Sequence, residues 1–486
     1  MTEKTAYRQI LKATSIFGGV QVFQIILQII KSKVVALLLG PAGFGLMSLL
    51  TTTTTLISNG TNFGLGISAV KDVSEANASG NDTKVAETIS VLKRLVWYTG
   101  MLGTVITGVL APWISQITFG NDQYTYSFVF LSVTLLITQL SIGQRVVIQG
   151  MRQIKLLAKA SAVGSLLGLC FSIPLYYYLG LDGIVPAIII SSIFTLSSTW
   201  WYSRKVSFPI VNMQLREIIT KGKSMLKMGF VLSVSGLFPI ISSYALRIFI
   251  GDIEEVGLYS AGFAIITTYV GLVFNAMGTD YYPRLSEIAT SNEKSKAIVN
   301  QQAEISILIL GPILLFLIVF INILVVLLYS AKFELISDMI RWSALGMYFR
   351  AVGWAIAFLF LARGNSKVFF WNELVFGIYM LVFNMIGYKF WGLTGLGISF
   401  LISYIVYFLQ VFIITRIKYS MGLTVDSIKI FLANLLFGVG CFLVMMISNE
   451  KVSYLFGVCL ICLGAYYSFV KLNDRIDIKS LLKNKK

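Results

Sequence analysis

Lys31, Lys33, Arg247, Arg350 and Glu373 stand inside long apolar runs of this chain. An ionisable side chain in such a run is costly to place in lipid and marks a working site by default. The plain alternative is a long side chain near a helix end that snorkels to the headgroups. Arg350 lies in the middle of its run, where snorkelling is hard, and Glu373 in the next run is the partner within reach by sequence. Lys33 lies eight residues before Pro41 in the outer part of its run, and Arg247 falls at nearly the same depth of a later one. Lys31, Lys33 and Arg247 therefore either face a cavity or snorkel. Arg341 and Lys332, nearer the outer surface, read as snorkelling.

Acidic residues are missing where these cations lie: none occurs between Glu3 and Asp72, from Thr88 to Asn121, or from Gln123 to Leu181. Buried cations without carboxylates suit an anion such as a diphosphate, held by charge-assisted hydrogen bonds. Lys33, Arg350, Arg247 and Lys31 form the expected cationic binding set. Thr51 to Thr55, Ser58, Asn59, Thr61 and Asn62 make the second run unusually polar. They are either glue between helices or the wall of a watery cavity suited to sugar hydroxyls. On the second reading Thr54, Thr55, Asn59 and Asn62 line it, with Asn275 from the matching stretch of the second half, which also holds Thr267, Thr268, Tyr269 and Thr279. Glu373 and Asp280 are the carboxylates left to exchange a coupling ion or form an ion pair.

Other chemistries lack their residues. The chain has no histidine, the commonest general base and a common zinc ligand. No phosphate-binding glycine loop, metal cluster or nucleophilic triad is present, so neither enzyme activity nor a cofactor is expected. Cys459 and Cys462 form a C-x-x-C within an apolar run and read as small core residues rather than a redox pair.

These residues are positioned by membrane helices. The 486 residues are 56% hydrophobic and 13% charged, with mean hydropathy +0.80, against about 25% charged in soluble domains. Apolar runs long enough to cross a bilayer fall at 13–39, 43–70, 91–114, 125–147, 155–178, 183–203, 226–250, 257–282, 302–328, 337–361, 367–388, 393–415, 428–448 and 452–470. The net charge of +17 sits mostly in alternate loops and in both tails, the pattern that sets membrane orientation, not one that binds nucleic acid. Lys4, Arg8 and Lys12 read as the cytoplasmic flank of the first span, which puts both termini in the cytoplasm. The basic loop from Ser203 to Lys227 holds Leu215 to Ile219, which could lie flat on the inner leaflet.

That loop divides a repeat. The offset that carries Lys155 onto Lys367 also carries Gly45-Leu46-Met47-Ser48 onto Gly257-Leu258-Tyr259-Ser260, Gly180-Leu181-Asp182-Gly183 onto Gly392-Leu393-Thr394-Gly395, and Thr55 onto Thr267. Six spans per repeat make the halves parallel. The expected fold is an all-α polytopic membrane protein of about fourteen transmembrane helices. It comprises pseudo-symmetric six-helix bundles at 1–210 and 211–420, then two extra helices and a basic tail at 421–486.

Several motifs, in this order, carry a resemblance: Lys33 with Gly40-Pro41-Ala42-Gly43, Phe119-Gly120-Asn121-Asp122, Gln149-Gly150-Met151-Arg152, Tyr282-Pro283-Arg284-Leu285-Ser286 and Lys332-Phe333. Over residues 1 to about 415 the chain resembles the Wzx-type O-antigen and enterobacterial-common-antigen flippases of the multidrug/oligosaccharidyl-lipid/polysaccharide (MOP) exporter superfamily. The resemblance implies a MATE-like, V-shaped fold with a central cationic cavity. It implies a bacterial inner-membrane protein that moves an undecaprenyl-diphosphate-linked oligosaccharide to the outer leaflet by alternating access. It implies membrane lipid as surroundings and a polysaccharide polymerase and chain-length regulator as candidate partners. Lys33 and Arg350 fall where that family places basic residues; the two extra helices depart from its better-known members. The competing reading is a cation-coupled multidrug antiporter of the MATE type, which needs a buried carboxylate that the first half lacks. A membrane glycosyltransferase or polymerase needs a large outer loop, and none is present.

Overall fold

The computed structural model describes the backbone of residues 3–206, 208–209 and 211–476, with side chains except at 3–21, 231, 232, 235, 275, 276, 279 and 476. Lys4, Arg8, Lys12, Asn275, Thr279 and the end of the basic tail thus lie outside the described side chains. The described chain is helical throughout: α1 (Glu3–Thr61), α2 (Leu65–Ala78), α3 (Asp82–Val109), α4 (Ala111–Phe119), α5 (Thr125–Gly150), α6 (Ile154–Leu179), α7 (Ile184–Ser203), α8 (Leu215–Ile250), α9 (Ile253–Ala264), α10 (Leu272–Glu287), α11 (Asn292–Leu328), α12 (Ser337–Ala362), α13 (Ser366–Tyr419), α14 (Val425–Val444) and α15 (Glu450–Ile476).

Nine stretches of the described residues are long and apolar enough to cross a membrane, ten with the pair α3 and α4. Three are double. α1 breaks at Gly40 (φ 66°) before Pro41, and α13 breaks at Trp391 and Gly392. The stretch Ile154–Val206 holds both α6 and α7. Adding α8 gives about fourteen crossings, as hydropathy predicts. α3 and α4 meet at 67°, where Pro112 opens α4 without a donor for the preceding turn. Hydropathy suggests a continuous second span at 43–70, but the structure breaks it after Thr61. Phe63 and Gly64 take positive φ, 49° and 57°, and Asn62 Oδ1 accepts from Gly64 N at 2.7 Å.

Residues 1–257 form one compact unit and 258–486 another. The first unit holds α8, whose Ile218 and Met225 join Leu65, Val73, Ile89 and Leu92 in a core. Leu215 to Ile219 is the first turn of α8, capped by Gln214 and Glu217, with Leu215 and Ile219 exposed. Ile218 packs into protein there. Gly45 and Gly257, the repeat's paired glycines, pack within this unit. A Cβ on Gly257 would lie 1.9 Å from Pro41 O, so only glycine lets these backbones approach. In the second unit, α14 and α15 pack on α11. Glu304 of α11 accepts from Ser427 Oγ at 2.7 Å and pairs with Arg475 at 3.2 Å.

The repeat recurs in backbone geometry. Gly180 (φ 58°, ψ −130°) and Gly392 (φ 55°, ψ −137°) make the same turn, in a region open to glycine and costly for L-residues. The turn after α5 bonds Gln153 N to Ile148 O at 3.0 Å, and the turn after α12 bonds Asn365 N to Phe360 O at 2.9 Å. Arg152 (φ 57°) stands where the second half has Gly364 (φ 69°).

Cys459 and Cys462 are exposed on α15 and free, correcting the expectation of core positions; Cys441 is buried.

Candidate functional site

Arg350 lies near the middle of α12, half-buried. Its guanidinium stands 5.1 Å from the ring centre of Phe274 and 5.5 Å from that of Tyr404. Its nearest described polar contact is Met347 Sδ at 3.8 Å. Cation–π contacts are worth about 0.5–2 kcal/mol, whereas taking a charge out of water costs several. The rings therefore offset only part of that cost.

Glu373 of α13 lies close enough for its charge to interact with Arg350, but they form no ion pair within 4 Å among the described residues. Glu373 Oε1 accepts from Tyr407 Oη at 2.8 Å and from Asn372 Nδ2 at 3.0 Å. Asn372, only 2% exposed, accepts from Gln410 Nε2 at 2.8 Å. Phe376 packs on Tyr404 and Tyr407. The structure thus brings Arg350 and Glu373 into one cluster of the second unit. Tyr404, Tyr407, Asn372 and Gln410 were missed in the sequence, although the three-residue spacing of Tyr404, Tyr407 and Gln410 in an apolar run and the place of Asn372 beside Glu373 are the signals.

Lys31 lies in the first unit. It lines a cavity of about 310 Å³ with Gln24, Gln28, Ser165, Ser191 and Thr195. Lys33 is half-buried on the same helix. Arg247 is set differently: 8% exposed, it bonds through Nε to Ser48 Oγ at 3.0 Å and through Nη1 to Ser243 O at 2.9 Å. It ties α8 to α1. Asp280 is exposed and pairs with Arg284 at 3.3 Å, one turn along α10.

The polar second span binds mostly itself. Thr54 Oγ1 donates to Leu50 O at 2.9 Å, Thr55 Oγ1 to Thr51 O at 2.6 Å, and Asn59 Nδ2 to Thr55 O at 2.9 Å. Each of these hydroxyls, and one N–H of Asn59, is spent within the helix, which lets a polar face sit in a membrane. Asn62 alone of this set reaches across helices: its Oδ1 accepts from Ser233 Oγ at 3.1 Å, and its carbonyl faces Gln139 Nε2 at 3.5 Å. Among the described residues no group of His, Cys, Asp and Glu could hold a metal ion.

Comparison with known proteins follows the same lines. Residues 34–338 match a family model described as polysaccharide biosynthesis protein, and residues 252–463 match one described as lipid II flippase MurJ. No curated protein matches the chain. Among solved structures, the lipid II flippase MurJ in an inward closed conformation aligns at TM-score 0.70 and 13% identity, covering 95% of this chain and 99% of that one. An inward-facing multidrug resistance MATE family transporter aligns at 0.68 and 16%, covering 82% and 94%. A MOP superfamily transporter from Pyrococcus furiosus, described by the reverse polarity of its binding pocket, aligns at 0.56 and 14%, covering 82% and 93%. The fold is that of the MOP superfamily.

Proposed function

We propose that this chain, which belongs to the polysaccharide biosynthesis protein family, is a flippase for a polyprenyl-diphosphate-linked oligosaccharide. The unit it moves is an O-antigen or related surface-polysaccharide repeat, carried from the inner to the outer leaflet of the bacterial inner membrane by alternating access. The observation that carries this reading is Arg350: a guanidinium in the middle of a membrane helix, resting on two aromatic rings, with no ion pair within 4 Å among the described residues. A diphosphate crossing hydrocarbon as a bare anion meets a prohibitive desolvation cost, and such a cation lowers it. Within the first unit, Lys31 and Lys33 offer further positive charge to a phosphate, and Arg247 supports α1 beside them. The prenyl tail stays in lipid. Glu373 competes with the diphosphate for Arg350 and so favours release, and a proton or sodium gradient resets the cycle through it. The finished unit passes to a polymerase and chain-length regulator.

A multidrug antiporter shares this fold, but a cationic drug would meet Lys31 and Lys33 in a first half whose spans hold no carboxylate. Complementation tests the choice. In cells lacking an O-antigen or common-antigen flippase, the chain restores surface glycan, and Arg350→Ala and Lys33→Ala reduce it. Drug resistance without restored glycan would favour the antiporter.

A further inference from the structure

The cavity beside Lys31 is contained within the first unit. Gln24, Gln28 and Lys31 follow one another at four and three residues along α1, which puts them on one face. None of the three makes a hydrogen bond or ion pair with a described residue. Opposite them stand Ser165 of α6 and Ser191 and Thr195 of α7. Those two hydroxyls of α7 have their donors engaged: Ser191 Oγ lies 3.3 Å from Gly168 O and Thr195 Oγ1 donates to Ser191 O at 2.8 Å. One wall therefore offers an ammonium and two free amides, and the other offers hydroxyl oxygens with lone pairs to spare. A volume of about 310 Å³ falls at the lower end of small-molecule sites, about 300–1,000 Å³. It would hold roughly ten waters at about 30 Å³ each. Lys31 lies nine residues before the break at Gly40, about 13 Å down the helix at 1.5 Å per residue, near the middle of a bilayer core of about 30 Å.

We propose that this cavity is a binding subsite for a sugar phosphate, namely the first sugar of the glycan with the phosphate that bears it. Lys31 takes the phosphate, the amides of Gln24 and Gln28 take sugar hydroxyls in both directions, and Ser191 and Thr195 accept from them. An ammonium alone would serve any anion; the free amides on the same face select the sugar. This deepens the flippase reading and rests on it for its physiological ligand.

The test uses the full chain in lipid nanodiscs and calorimetric titration with glucose 1-phosphate, N-acetylglucosamine 1-phosphate, inorganic phosphate and free glucose. At least one sugar phosphate is expected to bind ten times more tightly than phosphate or glucose. Lys31→Ala should weaken it at least tenfold, Lys31→Arg should retain it, and Gln28→Ala should lower sugar-phosphate affinity while leaving phosphate unchanged. A melting curve within a few degrees of wild type shows that each variant is folded. Lack of binding by both sugar phosphates, phosphate binding equally well, or indifference to Lys31→Ala would each overturn the subsite. The complementation assay separates the two readings. Restored glycan without sugar-phosphate binding removes the subsite and leaves the flippase. Lys31-dependent binding without restored glycan removes the flippase and leaves the subsite.

Discussion

In the first half the chain turns at Gly180 and returns past Ser191 and Thr195, which face Lys31 across a polar cavity. In the second half the same turn at Gly392 returns past Tyr404, which lies by Arg350, Tyr407, which bonds Glu373, and Gln410, which bonds Asn372. The offset that relates Lys155 to Lys367 also carries Thr195 onto Tyr407 and Ser161 onto Glu373 in sequence. Ser161 accepts from Arg145 Nη2 at 3.4 Å, whereas Glu373 is bonded by Tyr407 and Asn372. One backbone thus carries a cation among hydroxyls and amides in one copy, and a cation beside a carboxylate and aromatic rings in the other. The repeat fixes where helices bend and cross; a few side chains at equivalent positions decide what each half attracts. On the proposed reading the first half offers an anion a cation among hydroxyls and amides, and the second adds a carboxylate beside its cation.

The largest expected effect is that of Arg350→Ala. Hydrogen bonds to charged groups are worth about 1.5–3 kcal/mol each, so transport should fall roughly tenfold to a hundredfold, with Arg350→Lys intermediate. Surface-glycan staining at matched protein levels measures it. Equal staining would erase the distinction between the halves.

Next comes Glu373. Glu373→Gln keeps an oxygen for Tyr407 and Asn372 but removes the charge. Folding should persist, transport should fall by about tenfold, or roughly 1.4 kcal/mol, and its dependence on an imposed ion gradient should flatten. Glu373→Ser would make the second half resemble the first and should behave likewise. Retained gradient dependence in both would assign coupling elsewhere.

Gly45→Val probes the shared frame. Its Cβ would lie 1.8 Å from Ile253 O, a backbone atom that cannot swing aside, so the cost should exceed the roughly 1–3 kcal/mol of ordinary overpacking. Thermal denaturation of the purified chain should show a lower melting point, with little change in ligand affinity for the surviving fold.

The smallest effect belongs to the helices that have no counterpart in the first half. Ser427→Ala removes one of the bonds to Glu304, which keeps Arg475. A cost of about 1 kcal/mol is expected, visible as faster proteolysis between Tyr419 and Val425 and as only a slight loss of transport.

Much of this was legible in the sequence. Apolar length gave the spans, because a bilayer sets helix length more strictly than water does. The repeat at Gly180 and Gly392 was legible because only glycine meets the turn's backbone demand without strain. The middle position of Arg350 marked it, and Glu373 followed as its neighbour. What hydropathy could not show was the break at Asn62 to Gly64, since an amide capping the next turn leaves the average apolarity unchanged. It could not separate Lys31 from Arg247 either. Both are cations within a span, and only packing shows that Arg247 is bonded to Ser48 and Ser243 while Lys31 faces a cavity. The threonines of the second span were ambiguous for the same reason, because a hydroxyl bonded to its own helix and one bonded across helices read alike.

The most direct measurement places the purified chain in proteoliposomes with a polyprenyl-diphosphate-linked oligosaccharide in the inner leaflet, and follows its arrival outside with a membrane-impermeant lectin. The wild-type chain should make the internal pool accessible, and the Arg350→Ala chain, equally well inserted, should lag at least tenfold behind it. Transfer by both chains at one rate, or by neither above protein-free vesicles, would contradict the account.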